Sequence, residues 1–137
     1  LSFYANEENI MARPRAKELT ERELEVMQVF WKHGELDAVA AREKLAAAGL
    51  DRAYTTIATL VRILVEKGFL KQLPGERPFR FRPTRTQEEV SGRMLADVVE
   101  RVFQGSREQL LVQLMKQKKL TAKERAMLQD ILKERES

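Results

Sequence analysis

Between Leu19 and Gly68 the apolar residues of this chain recur every three to four positions, and after Gly68 the pattern moves to a period of two, clearest at Phe79, Phe81 and Pro83. A helix repeats every 3.6 residues and a strand every two, so this switch marks the point where helices give way to a hairpin. Upstream of it, Leu24, Val26, Met27, Phe30 and Trp31 predict a helix over about 21–33. Leu45 anchors a second, alanine-rich helix over about 38–48, whose small side chains let a neighbour approach closely. Ile57, Leu60, Val61, Leu64 and Val65 fall at i, i+3, i+4, i+7 and i+8, one continuous core face on a helix over about 53–67. Beyond the switch, Pro74-Gly75-Glu76-Arg77 supplies a turn between strands over 69–73 and 78–83. Alternation in the second strand predicts Phe79 and Phe81 packed inward and Arg80 and Arg82 facing out.

Local punctuation supports this division and extends it. Gly34, Gly49, Gly68 and Gly105 each follow an apolar-periodic segment, where a glycine can end a helix in the left-handed conformation. Thr20/Glu23, Thr86/Glu89, Ser106/Gln109 and Thr121/Glu124 have the spacing of capping boxes, in which two orphan backbone donors are satisfied reciprocally. They open a first helix and three later ones over about 87–104, 107–119 and 122–135. Gly92 lies inside the first of those three without a capping role and predicts a bend or a close helix crossing. Residues 1–17 show no period and contain Pro14, which predicts a flexible arm, with Met11 as an alternative start. The expected organisation is mainly α: the arm, a winged helix-turn-helix DNA-binding domain over 18–85, and a helical dimerisation domain over 86–137.

Composition narrows the function classes. At 137 residues the chain is short for an enzyme with a large enclosed cleft. No paired-carboxylate, Ser/His/Asp, metal-ligand or phosphate-loop arrangement can be assembled from its residues. The absence of cysteine removes disulfides, thiolate metal sites and cysteine nucleophiles, and fits a cytoplasmic protein. The longest apolar stretch, 57–65, is interrupted by Arg62 and is too short to span a bilayer. Residues 11–85 hold 15 Lys and Arg against 10 Asp and Glu, whereas residues 86–137 hold 10 against 9. The basic excess therefore lies in the N-terminal part, where an anionic partner is expected.

Three helices closed by a basic hairpin predict a winged helix whose third helix reads duplex DNA. With its apolar face committed to the core, that helix presents Thr55, Thr59 and Arg62, with Tyr54 and Thr56 at its N-terminal edge. Hydroxyls, threonine methyls and a guanidinium are the groups that read base edges in a major groove. Taken alone, such a face is an ordinary solvated surface. Three threonines in five residues, however, lower helix propensity at a position where structure alone has no use for them. The hairpin carries Lys67, Lys71, Arg77, Arg80, Arg82 and Arg85 against Glu76 only, a strip suited to phosphates; Arg77, Arg80 and Arg82 are the candidate contacts. The alternative is a winged-helix protein-interaction module without sequence-specific DNA binding.

The remaining conspicuous residues have plain structural readings. His33, the single histidine, stands beside Gly34 and suits a helix end. Phe30 and Trp31 suit a core, and Lys116, Lys118 and Lys119 a solvated helix end. Leu95, Val98, Val99, Val102, Phe103, Leu110, Leu111, Leu114, Met115, Leu128, Ile131 and Leu132 are more apolar groups than three short helices can enclose, so a second copy is expected to cover them.

Leu19-Thr20-x-x-Glu23-x-x-Val26-Met27-x-x-Phe30-Trp31 and Ala53-Tyr54-Thr55-Thr56-Ile57-x-Thr59-Leu60-x-Arg62-x-Leu64 resemble the penicillinase-repressor (BlaI/MecI) family. The likeness continues through Lys67-Gly68, Gly75-x-Arg77, Phe79-Arg80-Phe81-x-Pro83, Val102-Phe103-x-Gly105-Ser106 and Leu120-Thr121-x-x-Glu124. It implies a cofactor-free homodimeric repressor bound to an inverted-repeat operator of antibiotic-response genes of the beta-lactamase type. It also implies a membrane sensor-protease pathway that relieves repression. Two departures stand out. Thr55 and Ala58 occupy positions where antibiotic-responsive relatives carry basic side chains, and Gln113-Leu114 aligns with their Asn-Phe cleavage step. The cysteine-rich tail of copper-responsive relatives is absent.

Overall fold

The computed structural model describes residues 18–136, so the arm expected over 1–17 lies outside it. The chain runs α1 (Glu21–His33), β1 (Leu36–Asp37), α2 (Ala38–Ala47), α3 (Tyr54–Glu66), β2 (Leu70–Gln72), β3 (Arg80–Pro83), α4 (Gln87–Val102), α5 (Arg107–Gln117) and α6 (Ala122–Glu136). It divides into two compact units, one ending at Val90 and the other beginning at Ser91.

In the first unit, α1, α2 and α3 pack on one another and a three-stranded antiparallel sheet of order β1-β3-β2 closes the core. This is a winged helix-turn-helix. Val26, Met27, Phe30, Leu45, Ile57, Val61 and Leu64 are fully buried, and Leu36, Phe69, Leu70 and Val90 complete the core. At about 1.5–3 kcal/mol for each fully buried large apolar side chain, this cluster is the main stabilising element of the unit. Leu60 and Val65 lie half-buried against it, so the expected core face of α3 is present.

Three local expectations are corrected. The hairpin is part of a larger sheet, because Leu36 pairs with Phe81 and Asp37 with Arg80 through the short strand β1. Of the two aromatics expected to point inward, only Phe81 packs on the core; Phe79 precedes β3 and lies beneath the Arg77 guanidinium, 5.6 Å from the ring centroid. In α1 the expected stripe shifts by a few positions. Val29 is buried, whereas Leu24 and Trp31 are half-buried.

The punctuation is largely as expected. Thr20/Glu23, Thr86/Glu89 and Thr121/Glu124 form both bonds of a capping box, and the Ser106 hydroxyl accepts from the Gln109 N–H. Asp37 adds an N-cap for α2, its carboxylate accepting from the Ala40 N–H at 2.8 Å. Gly34, Gly49, Gly68 and Gly105 all adopt positive φ at helix ends.

In the second unit, no residue of α5 is buried. Leu95, Val98, Val102, Leu111, Leu114, Met115, Leu128, Ile131 and Leu132 are all exposed, as are Met94, Val112 and Met127. Val99, Phe103 and Leu110 are half-buried. Gly92 has ordinary helical φ, and a Cβ added there would meet nothing within 4 Å.

Candidate nucleic-acid interface

The N-terminal end of α3 is held by residues that its own sequence does not announce. Arg52, in the turn before the helix, donates from Nη2 to both carboxylate oxygens of Glu25 on α1, at 3.1 and 3.2 Å. Its backbone carbonyl accepts from Arg42 Nε on α2 at 3.0 Å. The turn that launches the helix is thereby tied to both of the helices behind it. The N-cap is Ala53, which offers no side-chain oxygen, so the first backbone N–H groups of α3 have no side-chain acceptor.

Along α3 the side chains divide as the period requires. Ile57, Val61 and Leu64 go to the core. Thr55, Thr59 and Arg62 are exposed together on the opposite side, with exposed Tyr54 and half-buried Thr56 at the N-terminal edge. One α-helical turn separates Thr55 from Thr59, so the two hydroxyls stack along one face. Arg62 ends that row and donates from Nη1 to Glu66 Oε2 at 3.2 Å, an exposed i,i+4 pair that contributes little to stability.

The basic strip of the hairpin does not act as one surface. Lys67 turns inward: its Nζ lies 2.7 Å from Glu23 Oε1 and 2.8 Å from the Glu18 carbonyl. Arg85 stacks over the Phe69 ring at 5.2 Å, and its carbonyl accepts from the Trp31 indole N–H at 2.9 Å. Arg80 donates from Nε to Glu35 Oε2 at 2.6 Å and from Nη2 to the Glu35 carbonyl at 3.0 Å. Lys71, Arg77 and Arg82 are the exposed cations that remain on the wing. Charge counting along the sequence could not separate these groups, because the acids that engage Lys67 and Arg80 lie 44 and 45 residues away.

His33 is at the last turn of α1, where the Gly34 N–H reaches back to the Phe30 carbonyl. Desolvation, with the nearby Lys44 and Lys32, lowers the imidazole pKa below its ordinary value.

A family model described as penicillinase repressor matches residues 19–134. The transcriptional regulator BlaI of Mycobacterium tuberculosis, in strains CDC 1551 / Oshkosh and ATCC 25618 / H37Rv, is 30% identical over 95 residues, 69% of this chain and 69% of that protein. Among solved structures, the DNA-binding domain of the repressor BlaI is 26% identical, with 58% of this chain and 93% of that one covered and a TM-score of 0.47. The apo form of wild-type MarR from E. coli is 20% identical, with 85% and 76% covered and a TM-score of 0.47.

Proposed function

The chain belongs to the penicillinase repressor family, and from that premise we propose that it is a cytoplasmic transcriptional repressor that binds an inverted-repeat operator as a homodimer. The observation that carries the reading is the exposed row of Thr55, Thr59 and Arg62, with exposed Tyr54 at its N-terminal edge, on a helix whose opposite face is locked in the core. In a major groove, threonine hydroxyls and methyls meet base edges, whereas wing cations such as Arg77 and Arg82 meet phosphates.

The exposed apolar residues of 91–137 supply the reason for two copies. A monomer leaves Val102 66% exposed and Leu111 58% exposed, and mutual cover of such side chains offsets the cost of association. A two-fold pair sets its reading helices about one DNA turn apart, roughly 34 Å, which demands matching half-sites.

Selection of bound duplexes from a randomised pool tests the reading directly. Enrichment of a two-fold symmetric site is expected. Thr55→Ala and Thr59→Ala should then each lower preference for that site about tenfold while leaving affinity for unrelated duplex nearly unchanged, since one good base contact discriminates by about 1–3 kcal/mol. A pool that returns no preferred sequence favours the second reading, a protein-interaction module. The observation behind that alternative is the Arg62–Glu66 pair, which leaves the exposed face of α3 close to neutral.

Control of antibiotic-response genes of the beta-lactamase type, relieved through a membrane sensor protease, is the regulatory setting we attach to family membership. Gln113 and Leu114 lie in the middle of α5, where a protease must open the helix before it can cut. Repressor recovered from induced cells and weighed by mass spectrometry is expected to be intact at this step. A clean cut between Gln113 and Leu114 overturns that expectation.

A further inference from the structure

Two cations face each other across the wing. Lys71 of β2 and Arg82 of β3 are register partners in an antiparallel pair, and both are exposed. Directly opposed residues have Cβ atoms about 4.5–5.5 Å apart and project to the same side of the sheet. Here that side faces away from the core, because Phe81, the neighbour of Arg82 in β3, packs inward. Among the described residues no carboxylate forms an ion pair with either cation. Like charges placed directly opposite destabilise a strand pair, and an anion seated between them removes the repulsion.

Arg80 is two residues away on the same face of β3, yet its situation is different. Glu35 takes its guanidinium through a carboxylate oxygen and the backbone carbonyl together, and its register partner is the acidic Asp37. Its charge is already neutralised, and the bonds fix β3 to the corner between α1 and β1.

We infer that Lys71 and Arg82 together seat one backbone phosphate of duplex DNA, and that Arg80 is a positioning residue that braces the strand beneath them. This rests on the DNA-binding reading and assigns the wing's part in it.

The test uses the full chain and a mixed-sequence duplex, with affinity measured over a series of salt concentrations. Each phosphate neutralised contributes about 0.9 to the slope of log affinity against log salt. Lys71→Gln combined with Arg82→Gln is expected to make the slope shallower by about 0.9, one phosphate, and Arg82→Lys to retain it. Arg80→Gln is expected to keep the slope while lowering the melting temperature of the free protein. Lys71→Gln should do the reverse, leaving the melting temperature unchanged or raised while weakening DNA binding. A double variant that loses about twice that slope overturns the shared seat, and one that loses none overturns any phosphate role for the pair. Arg80→Gln flattening the slope as much as Arg82→Gln overturns the division between them. A wild-type chain with no salt-dependent affinity for duplex overturns the DNA-binding reading itself, an outcome distinct from failure of the seat alone.

Discussion

Glu23 is 4% exposed, and it is the buried charged residue among those described. Its Oε1 accepts from the Thr20 N–H at 3.0 Å and from Lys67 Nζ at 2.7 Å, so one carboxylate both caps α1 and ties that cap to the end of α3. Lys67→Met leaves the carboxylate buried without its counter-charge. Loss of a buried partner costs about 3–5 kcal/mol, and because Lys67 keeps some solvent access we expect about 3 kcal/mol in urea unfolding. Thr20→Ala, which removes only the hydroxyl that accepts from the Glu23 N–H, should cost about 1 kcal/mol. The capping box was legible in the sequence because its members are three residues apart. The ion pair was not, and Lys67 read as one more wing cation. Glu89 has a second measurable consequence. The Thr86 backbone N–H and then its hydroxyl, with Arg85 nearby, hold the Glu89 carboxyl below its ordinary value of 4.5. A carboxyl lowered by folding stabilises the protein above its unfolded pKa, and that contribution is lost as pH falls through the folded value. Melting temperatures of wild type and Glu89→Gln should therefore converge as the pH drops below about 4.5, with the wild type ahead above it. Parallel curves across that range would count against the cap as the source.

Helices were readable as elements because their signals are local: a period, a box at the start, a glycine at the stop. The third strand was not. Leu36–Asp37 is too short to show alternation, and it exists because β3 lies beside it in space. Phe79 was misplaced for a related reason, since alternation gives the side a residue takes only where a strand persists, and β3 begins one residue later. The glycines test the same logic. Gly92 sits inside α4 with room for a methyl group, so Gly92→Ala should stabilise the protein by about 0.5–1 kcal/mol in thermal unfolding. Gly105 has φ of 84° beyond the end of α4, where a Cβ is disfavoured, and Gly105→Ala should cost about 1–2 kcal/mol. If Gly92→Ala instead weakens self-association, the glycine serves a close helix crossing between copies.

At the scale of the molecule, the proposed homodimer rests on the exposed apolar residues of the second unit. Val102 and Leu128 are both exposed in the single chain, so Val102→Asp with Leu128→Asp removes nothing from a monomer core. The double variant should sediment as a folded monomer at micromolar concentration and lose operator binding with its reading face untouched. A wild type that sediments as a monomer yet binds a full operator tightly would sink the argument. The excess of apolar residues was visible in the sequence. Their exposure in the single chain was not, because periodicity marks a face without saying what covers it. Trp31, the single tryptophan, donates its indole N–H to the Arg85 carbonyl within the first unit. The chain's only indole fluorophore therefore lies in the unit that carries α3 and the wing. Its emission wavelength will follow the melting of that unit, while a change confined to the second unit passes unseen in the same spectrum.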